Sequence, residues 1–467
     1  MRFVTILLIS VLFFCGCGES PRSPLATKPT DEATSQSDSA QGTPGSASNQ
    51  DQADEAFSAD LKRLTDLAKE QEAAGNYAEA ARVWGQVNQM ASNRFGAASW
   101  QSNNAAVAYQ RAVQKSRFTS QQMERLWEAD QLQEIVRRSL ESGDVQGGLR
   151  ANERAVEINA ELFGEGSVAY AQLVVQSATI ESNLRLVEQS VTHFHQGIET
   201  LKQNGYTNHP ELELAHAGLA SIYADKESFG PAIANQKEAT RIAGLIWGQE
   251  SLAFANRAHQ LGTLFHRAGN LDVAYQVIDE AKLIRQRQLG TEHPAFANSC
   301  LNLGVISMDQ KRFDQADEYF SKAQSVFTKT LGPEADDTLR CQSHRATIYM
   351  LQQRPELAEP ILRAVVQTMR ASQAGTNSGN VEKRLDHEYR LAISLSRQGK
   401  YAIAKPLLEQ VITEQRQRIG QSDRRTVASM RAYALLLERT NQTEAAGQMR
   451  QQIDRVAQEP GPQDFRR

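Results

Sequence analysis

Hydrophobic residues recur along most of this chain at intervals of three and four positions, as they do on one face of an α-helix. One stretch shows the pattern twice in succession, with Leu261 and Phe265 before a short polar turn and Leu271, Ala274 and Ile278 after it. The pattern predicts helices joined in pairs, and we expect an all-α fold.

A small residue at the crossing of the two predicted helices repeats with a fixed period. The steps from Gly148 to Ala358 are 42 residues each, and the step from Ala404 to Ala446 is 42 as well. A period of this size is typical of a repeat array rather than of several unrelated domains. The markers predict nine helix-turn-helix units and are Ala80, Gly148, Ser190, Ala232, Ala274, Ala316, Ala358, Ala404 and Ala446.

Two further positions keep the same period. Twelve residues before the marker lies a second small residue, such as Gly262 or Gly304, which allows the two helices to approach closely. Sixteen residues after it most units have a glycine, such as Gly248 or Gly290, which can adopt the left-handed conformation that ends a helix. The stretch QLGTEHPAFA, residues 288–297, is therefore interpreted as a joint between repeats rather than as an active site.

Together these elements resemble the tetratricopeptide repeat of the long, kinesin light chain type. The likeness lies in the Leu-Gly pairs of the first helices, the GNL, GKY and KRF turns, the AEPILRAV and AKPLLEQV openings of the second helices, and the LGTEHP joint. It covers residues 56–458. The resemblance implies an α-solenoid, a right-handed superhelix of about nine repeats whose first helices line a groove.

Two intervals depart from the period. Ala80 and Gly148 are 68 residues apart, 26 more than one repeat, and we expect an irregular insertion near 113–130 that extends a helix or adds one. A later interval of 46 residues places its extra four in the polar stretch 372–380. Elsewhere we expect the period of 42 residues to be regular.

The first residues of the chain are typical of an export signal. Arg2 precedes an apolar run, Phe3–Phe14, that is too short to cross a bilayer but suits the core of a signal peptide. The CGCG that follows resembles a bacterial lipobox, which implies a signal peptide over 1–17 and lipidation of Cys17. The alternative is simple cleavage, which would give a soluble exported protein.

The segments that flank the predicted repeats have the composition of unfolded chain. Residues 18–55 are rich in Ser, Pro, Thr and Gln with few large apolar side chains, and we expect a disordered tether there. Residues 459–467 are expected to form a flexible tail. Lipidation would hold the folded part at the bacterial cell envelope, on the periplasmic side, and Gly18 after the cysteine favours the outer membrane.

Charge narrows the choice of partner. The chain has 51 Lys and Arg residues and 55 Asp and Glu residues, a formal net charge of −4. Nucleic-acid binding requires a clustered excess of basic residues, so we expect no nucleic-acid partner. The lipid anchor is the expected route to a membrane, because no second apolar run of spanning length follows.

Histidines are the main candidates for metal binding or catalysis, and their spacing argues against both. His193 and His195 are two positions apart on a predicted helix and point in different directions. His259 and His266 share a face but lie about 10 Å apart, too far to share one metal ion. These four are interpreted as surface residues and His293 as part of a joint. We therefore expect no metal ligand, no catalytic residue and no cofactor.

Two other features also favour structural interpretations. Residues 164–169, GEGSVA, match a dinucleotide-binding fingerprint but follow a predicted helix rather than a strand. Cys300 and Cys341 occupy corresponding helices of neighbouring repeats, where backbone separations usually exceed the roughly 7 Å that a disulfide tolerates. They are interpreted as small buried residues, with a disulfide as the alternative.

The resemblance assigns a set of polar side chains to the groove. Basic, amide and hydroxyl groups outnumber acids in this set, so we expect the carboxy-terminal half to bind an acidic or carboxylate-bearing segment of another protein. The alternative is a solvated helix surface. The predicted groove residues are Asn256, His259, Thr263, His266, Arg267, Asn298, Asp309, Arg340, Ser343, Thr347, Asp386, Tyr389, Arg397, Arg431 and Arg439.

These expectations predict a non-enzymatic scaffold that binds proteins or peptides at the bacterial envelope and has no small-molecule substrate. One alternative is an envelope enzyme or glycan-binding protein that uses the irregular segment 113–130, which requires a pocket with convergent polar groups. Another is a structural array that assembles with itself.

Overall fold

The computed structural model describes residues 49–97, 99–371 and 378–458. The predicted signal peptide with Cys17, most of the tether, the tail and residues 372–377 of the polar stretch lie outside the described residues. Helix α1 begins at Asn49, so the first helix starts inside the segment that composition assigned to the tether. Its first residues, 49–56, contain neither Gly nor Pro, the two residues that a helix interior tolerates least.

The described residues form nineteen helices and no strand. They fall into two compact units, one ending at Gly248 and the other beginning at Gln249. The helices of the first unit are α1 Asn49–Ala73, α2 Tyr77–Phe95, α3 Trp100–Lys115, α4 Ser120–Ser142, α5 Val145–Phe163, α6 Val168–Asn183, α7 Val187–Gln203, α8 Pro210–Asp225 and α9 Phe229–Trp247.

The described residues of the second unit form a series of five helix pairs. Its helices are α10 Leu252–Arg267, α11 Leu271–Leu289, α12 Pro294–Asp309, α13 Phe313–Leu331, α14 Asp336–Leu351, α15 Pro355–Ala371, α16 Ser378–Arg397, α17 Tyr401–Ile419, α18 Arg424–Arg439 and α19 Thr443–Gln458. Each helix packs against the next one in sequence, and the first helices α10, α12 and α14 also contact one another in turn. The predicted all-α solenoid of paired helices is confirmed.

The 26-residue excess in the first unit contains an added helix, α3. It begins at Trp100, before the predicted insertion near 113–130, because the Ser99 side chain accepts a hydrogen bond from the Ser102 backbone N–H and starts a helix there. Thr119 starts α4 with a complete capping box. The predicted irregular segment thus comprises the end of α3, a four-residue connection and the start of α4.

Two glycines show how closely the paired helices approach. A Cβ atom at Gly262 would lie 2.4 Å from Ile278 Cγ1, and one at Gly304 would lie 2.7 Å from the ring of Phe320. Real carbon atoms do not pack at such distances, so each crossing requires the absence of a side chain. The predicted role of the small residues is confirmed at these two crossings.

The joint that follows α11 is built entirely from capping interactions. Gly290 has a φ of 80° and its backbone N–H bonds to the Gln286 carbonyl at 3.0 Å, which ends the helix. His293 Nδ1 then accepts the Ala295 backbone N–H at 3.0 Å, and Pro294 occupies the first turn of α12. The interpretation of His293 as part of a joint is confirmed.

Both cysteines of the repeat region lie in the apolar core. Cys300 and Cys341 are free thiols with no exposed surface, and they pack with Phe296, Phe320 and Ile348. Burial raises the pKa of the Cys300 thiol to about 11 and that of Cys341 to about 12, so both remain protonated at neutral pH. The interpretation as small buried residues is confirmed, and the alternative disulfide is absent.

Candidate binding face

The first helices of the second unit share a polar side, which we call the A face. It is the side of α10, α12, α14, α16 and α18 that carries His259, Asn302, Thr347 and Arg390. His259 Nε2 lies 2.8 Å from the Asn302 side-chain amide, and Arg390 Nη1 donates to Thr347 Oγ1 at 2.9 Å. Polar contacts therefore connect the first helices of successive repeats.

A buried arginine lies beneath the amino-terminal part of the A face. Arg285 reaches from the second helix α11 and is 7% exposed. Its Nη2 donates to Asn256 Oδ1 at 2.8 Å, and its Nη1 donates to Ser299 Oγ at 2.8 Å and to His259 Nδ1 at 3.2 Å. The Ala295 carbonyl also accepts from Nη1, at 3.2 Å. This group connects three helices, α10, α11 and α12.

The electrostatics of this group keep His259 neutral. Burial, together with the neighbouring Arg285 guanidinium, lowers the pKa of His259 to about 3. Burial also lowers the pKa of Arg285 to about 10, and the guanidinium stays charged at neutral pH. Nδ1 of the neutral ring accepts a hydrogen bond from Arg285.

The carboxy-terminal part of the A face presents exposed guanidinium groups instead. Arg397 Nη1 donates to the Met350 carbonyl at 2.9 Å, and Arg431 and Arg439 have no side-chain partner among the described residues. Arg340 differs, because its Nη1 lies 2.9 Å from Asp337 Oδ1. Positive charge on α16 and α18 is thus available to solvent.

Acidic side chains on the same helices are already engaged. Within the described residues, Asp386 is the single carboxylate of these five helices with neither an ion pair to Lys or Arg nor a hydrogen bond to His, and burial raises its pKa. The paired carboxylates are Asp309 with His266, Asp336 with Lys383, Asp337 with Arg340, Glu382 with Arg425, Glu388 with Arg384 and Glu438 with Arg450. The residual charge of the A face is therefore positive.

The predicted groove residues differ widely in accessibility. The exposed ones are Asn256, Arg267, Asp309, Arg340, Arg397, Arg431 and Arg439. The half-buried ones are His259, Thr263, His266, Asn298, Thr347, Asp386 and Tyr389. Ser343 is buried and donates to the Leu339 carbonyl at 2.7 Å, so its hydroxyl does not face solvent. The assignment of the set to a binding groove stays a prediction.

Sequence reasoning missed residues that come from outside the predicted positions. Arg285 was overlooked because it belongs to a second helix. Arg390 lies one position after predicted Tyr389, and Asn302 lies four positions after predicted Asn298. The available signal was Arg285 itself, a charged residue on the otherwise apolar face of α11 beside Ile284 and Ala281.

The helical histidines require one correction. His259 was interpreted as a surface residue, but it is half-buried and bonded to Arg285 and Asn302. His193 lies 2.9 Å from both oxygens of buried Glu181, which raises the pKa of the imidazole, whereas His195 is exposed. No group of three or more metal-ligating side chains occurs within the residues that the structure describes.

The irregular segment of the first unit carries a shallow cavity of about 440 Å³. Phe118, Met123 and Trp127 form its apolar walls, and Ser120 and Glu124 are its polar lining residues. Trp127 is 67% exposed.

None of the described helices is long and apolar enough to cross a bilayer.

Comparison with known proteins supports the repeat assignment. Residues 295–371 match the tetratricopeptide repeat family. The chain is 25% identical over 252 residues to Protein KINESIN LIGHT CHAIN-RELATED 2 of Arabidopsis thaliana, which covers 54% of this chain and 37% of that protein. It is also 28% identical over 128 residues to the Clustered mitochondria protein homolog of Caenorhabditis elegans, 27% of this chain and 10% of that protein.

A solved structure extends the likeness over most of the chain. The apo form of the quorum sensor NprR from B. thuringiensis superposes with a TM-score of 0.50 and 12% identity, covering 83% of this chain and 99% of NprR. At this identity the likeness concerns the fold alone. The chain spans little more than a third of the length of its kinesin light chain-related relative. The predicted resemblance to tetratricopeptide repeats of the kinesin light chain type is confirmed: residues 295–371 match the repeat family, and a kinesin light chain-related protein is similar over 54% of the chain.

Proposed function

We propose that this chain is a non-enzymatic scaffold whose A face binds an acidic segment of another protein. The observation that supports this proposal is the set of exposed guanidinium groups at Arg397, Arg431 and Arg439, which have no carboxylate partner among the described residues. A guanidinium group binds a carboxylate through two parallel hydrogen bonds, which provides both attraction and orientation. Stacked helical repeats provide extended surfaces of the kind that such a segment requires.

The proposal also rests on positive charge of the A face that no carboxylate of the protein neutralises. The carboxylates of the five first helices are paired internally, apart from half-buried Asp386. An acidic ligand would therefore meet unpaired positive charge rather than compete with a resident ion pair. Half-buried Tyr389 adds a flat apolar contact on the same helix as Arg397.

The test begins with cross-linking in native cells to identify the protein that docks on the full mature chain. The identified partner is then purified and titrated against a variant with Arg397→Ala, Arg431→Ala and Arg439→Ala. We expect affinity to fall at least about tenfold, because several charge-assisted hydrogen bonds are removed. The cross-linked segment should be acidic, and binding should weaken with added salt.

The matched control replaces Arg287, Arg363 and Arg418 with Ala. These residues are also exposed arginines of the second unit, but they lie on the second helices α11, α15 and α17. The control loses the same charge and should bind as the wild type does. Equal loss of affinity in both triple variants, or none in either, would remove the A face as the docking surface.

The second part of the proposal is an anchor at the bacterial envelope. The apolar run Phe3–Phe14 followed by Cys17 supports export and lipidation. Two or three acyl chains would hold the protein at a membrane, since each buried methylene contributes about 0.8 kcal/mol. Mass spectrometry of the mature amino terminus from the native host should find a lipid on Cys17, and Cys17→Ser should lose it. An unmodified mature terminus would contradict the anchor.

A further inference from the structure

Helix α4 carries a line of exposed residues along one side. Glu124, Trp127, Gln131, Ile135 and Arg138 are spaced by three, four, four and three positions, so they share one face of the helix. All five are exposed, and two of them are large apolar residues, Trp127 at 67% and Ile135 at 48%. We call these five residues the α4 stripe.

The other repeats cover this side of the corresponding helix. Ile135 lies thirteen positions before its repeat marker, Gly148, and it is exposed. In each of the other eight repeats the residue at this position is buried or half-buried. These residues are Leu67, Ser177, Leu219, Leu261, Leu303, Arg345, Leu391 and Tyr433. The α4 stripe is thus part of a helix face that the rest of the array buries and α4 leaves open.

The added helix α3 accounts for the open face. From α6 on, each first helix follows a second helix in the chain, whereas α4 follows α3 and packs against α5. Within the described residues, α3 packs against α2, and neither of these two helices packs against α4 to a comparable extent. An exposed apolar face of this kind is typical of a contact site, because covering it removes apolar surface from water.

The order of residues in the α4 stripe suits a second copy of the same stripe. Gln131 is the midpoint, and the spacing is the same in both directions from it. Two antiparallel α4 helices related by a two-fold axis at Gln131 therefore place Glu124 of each copy opposite Arg138 of the other. The same axis places Trp127 opposite Ile135. Acid then meets base, and each indole meets an aliphatic side chain.

The charged side chains around the stripe are compatible with this pairing. Beside it, Glu128 forms an ion pair with Arg125. Glu134 accepts a hydrogen bond from Arg138 Nε at 2.8 Å, and the terminal nitrogens of Arg138 have no acceptor in the described part of the chain. Glu124 has no ion-pair partner there either. The acid and the base that the two-fold axis brings together are thus both available.

The cavity beside Trp127 fits the same arrangement. Phe118 and Met123 form its other apolar walls, and it lies at the amino-terminal end of the stripe. The two-fold axis places Ile135 of the second copy opposite Trp127, where an aliphatic side chain can enter this cavity. Apolar surface of both copies is then removed from water.

We infer that this protein forms a two-fold symmetric dimer through the α4 stripe. The contact uses the same residues on both copies, so it closes on two chains and does not continue into a fibre. A single helix pair is small for a protein interface, and the dimer is therefore weak and reversible, with a dissociation constant in the micromolar range. The inference does not depend on the A face or on its ligand.

Sedimentation velocity over a series of concentrations tests the dimer. The sample is the full mature chain with Cys17→Ser, which prevents lipidation, and it should show a reversible equilibrium between monomer and dimer. Glu124→Arg or Arg138→Glu alone should weaken the dimer at least about tenfold, because like charges then lie opposite each other. The double variant restores the opposite charges and should recover the dimer.

Several outcomes of this experiment would overturn the inference. They are a monomer at every concentration, assemblies larger than a dimer, single variants that dimerise as the wild type does, and a double variant that does not recover.

The apolar part of the stripe has its own matched control. Trp127→Ala should weaken the dimer at least about tenfold, because the indole covers Ile135 of the second copy. Leu245→Ala changes another exposed apolar residue, 56% exposed on α9 of the same unit, and should dimerise as the wild type does. Equal dissociation constants for these two variants would place the contact elsewhere and contradict the inference.

Disulfide cross-linking tests the position of the two-fold axis. Gln131→Cys should link two copies under mild oxidation, because the axis brings this residue opposite itself. Glu124→Cys should not, since it faces Arg138 of the second copy. The native Cys300 and Cys341 are buried and do not compete. Cross-linking of Glu124→Cys but not of Gln131→Cys would overturn the proposed pairing.

Discussion

Two parts of the A face carry positive charge in opposite ways. Around α10 and α12 the charge includes Arg285, which is buried and bonded to neutral acceptors, besides exposed Arg267. Along α16 and α18 the charge is on Arg397, Arg431 and Arg439, which are exposed. The A face thus holds one buried cation, in surroundings of low dielectric constant, and several cations that are exposed to water.

The difference teaches what each part can contribute to binding. Exposed charges attract a ligand from a distance but are screened by salt, and each pair contributes little to affinity. A buried charge interacts more strongly with a ligand that reaches it, and salt screens the interaction much less. We therefore expect the exposed arginines to govern the salt dependence and the rate of association.

The largest expected effect comes from the core that supports both parts. Phe320 has no exposed surface, and its ring stacks on His344 at a centroid distance of 4.8 Å. Phe320→Ala should lower the free energy of unfolding by about 3–5 kcal/mol, because it leaves a cavity between α12, α13 and α14. Urea unfolding followed by circular dichroism measures the loss. A loss below about 1 kcal/mol would show that this core does not hold the A face together.

Acid should act on the buried part with an intermediate effect. The pKa of His259 in the folded protein is about 3, below its usual value, so the unfolded chain takes up the proton first as pH falls. Stability is therefore complete above about pH 6.5 and is lost as pH falls from there towards 3. At pH 4.5 we expect His259 to cost about 2–3 kcal/mol.

The control for the acid effect is His259→Gln, which cannot titrate. Urea unfolding of the wild type and this variant at pH 7 and pH 4.5 gives the histidine's share as the difference between their acid losses. The wild type should lose more stability than the variant. Equal losses would mean that His259 is not held neutral by burial and by Arg285.

The smallest effect on stability is expected at the exposed arginines. Arg431→Ala and Arg439→Ala should each change the free energy of unfolding by less than about 0.5 kcal/mol, since neither side chain has a partner among the described residues. Thermal unfolding of the two single variants measures this. A loss above about 1 kcal/mol would show that these residues are structural, and the contrast between the two parts of the A face would disappear.

Much of the architecture was predictable because the same helix crossings and turns recur in each repeat. Gly262 and Gly304 are required where two helices cross, and Gly290 is required where the backbone must turn. Small residues and glycines are required at the same positions of each repeat, so the sequence shows a regular period. Helix α3 was not located correctly because it has no counterpart in other repeats, and its start depends on the local Ser99 cap.

The candidate site was predictable only in part. Asn256, His259 and His266 were placed on one face by the resemblance to tetratricopeptide repeats, and the structure gives them polar neighbours there. Ser343 was placed on that face by the same rule, but it is buried. Arg285 was missed because the prediction considered first helices alone, whereas a long side chain from a second helix reaches the same group.

The sequence by itself determined the helices, their pairing and the joints, because these depend on contacts between residues close together in the chain. It also determined that the A face carries more basic than acidic groups. Only the tertiary structure decided which of those groups are neutralised. Arg340 is paired and Arg431 is not, and Arg285 is buried among neutral acceptors. The reason is that the acceptors around Arg285 lie on other helices, between 10 and 29 residues away in the chain, whereas the pair of Arg340 with Asp337 is local to one helix.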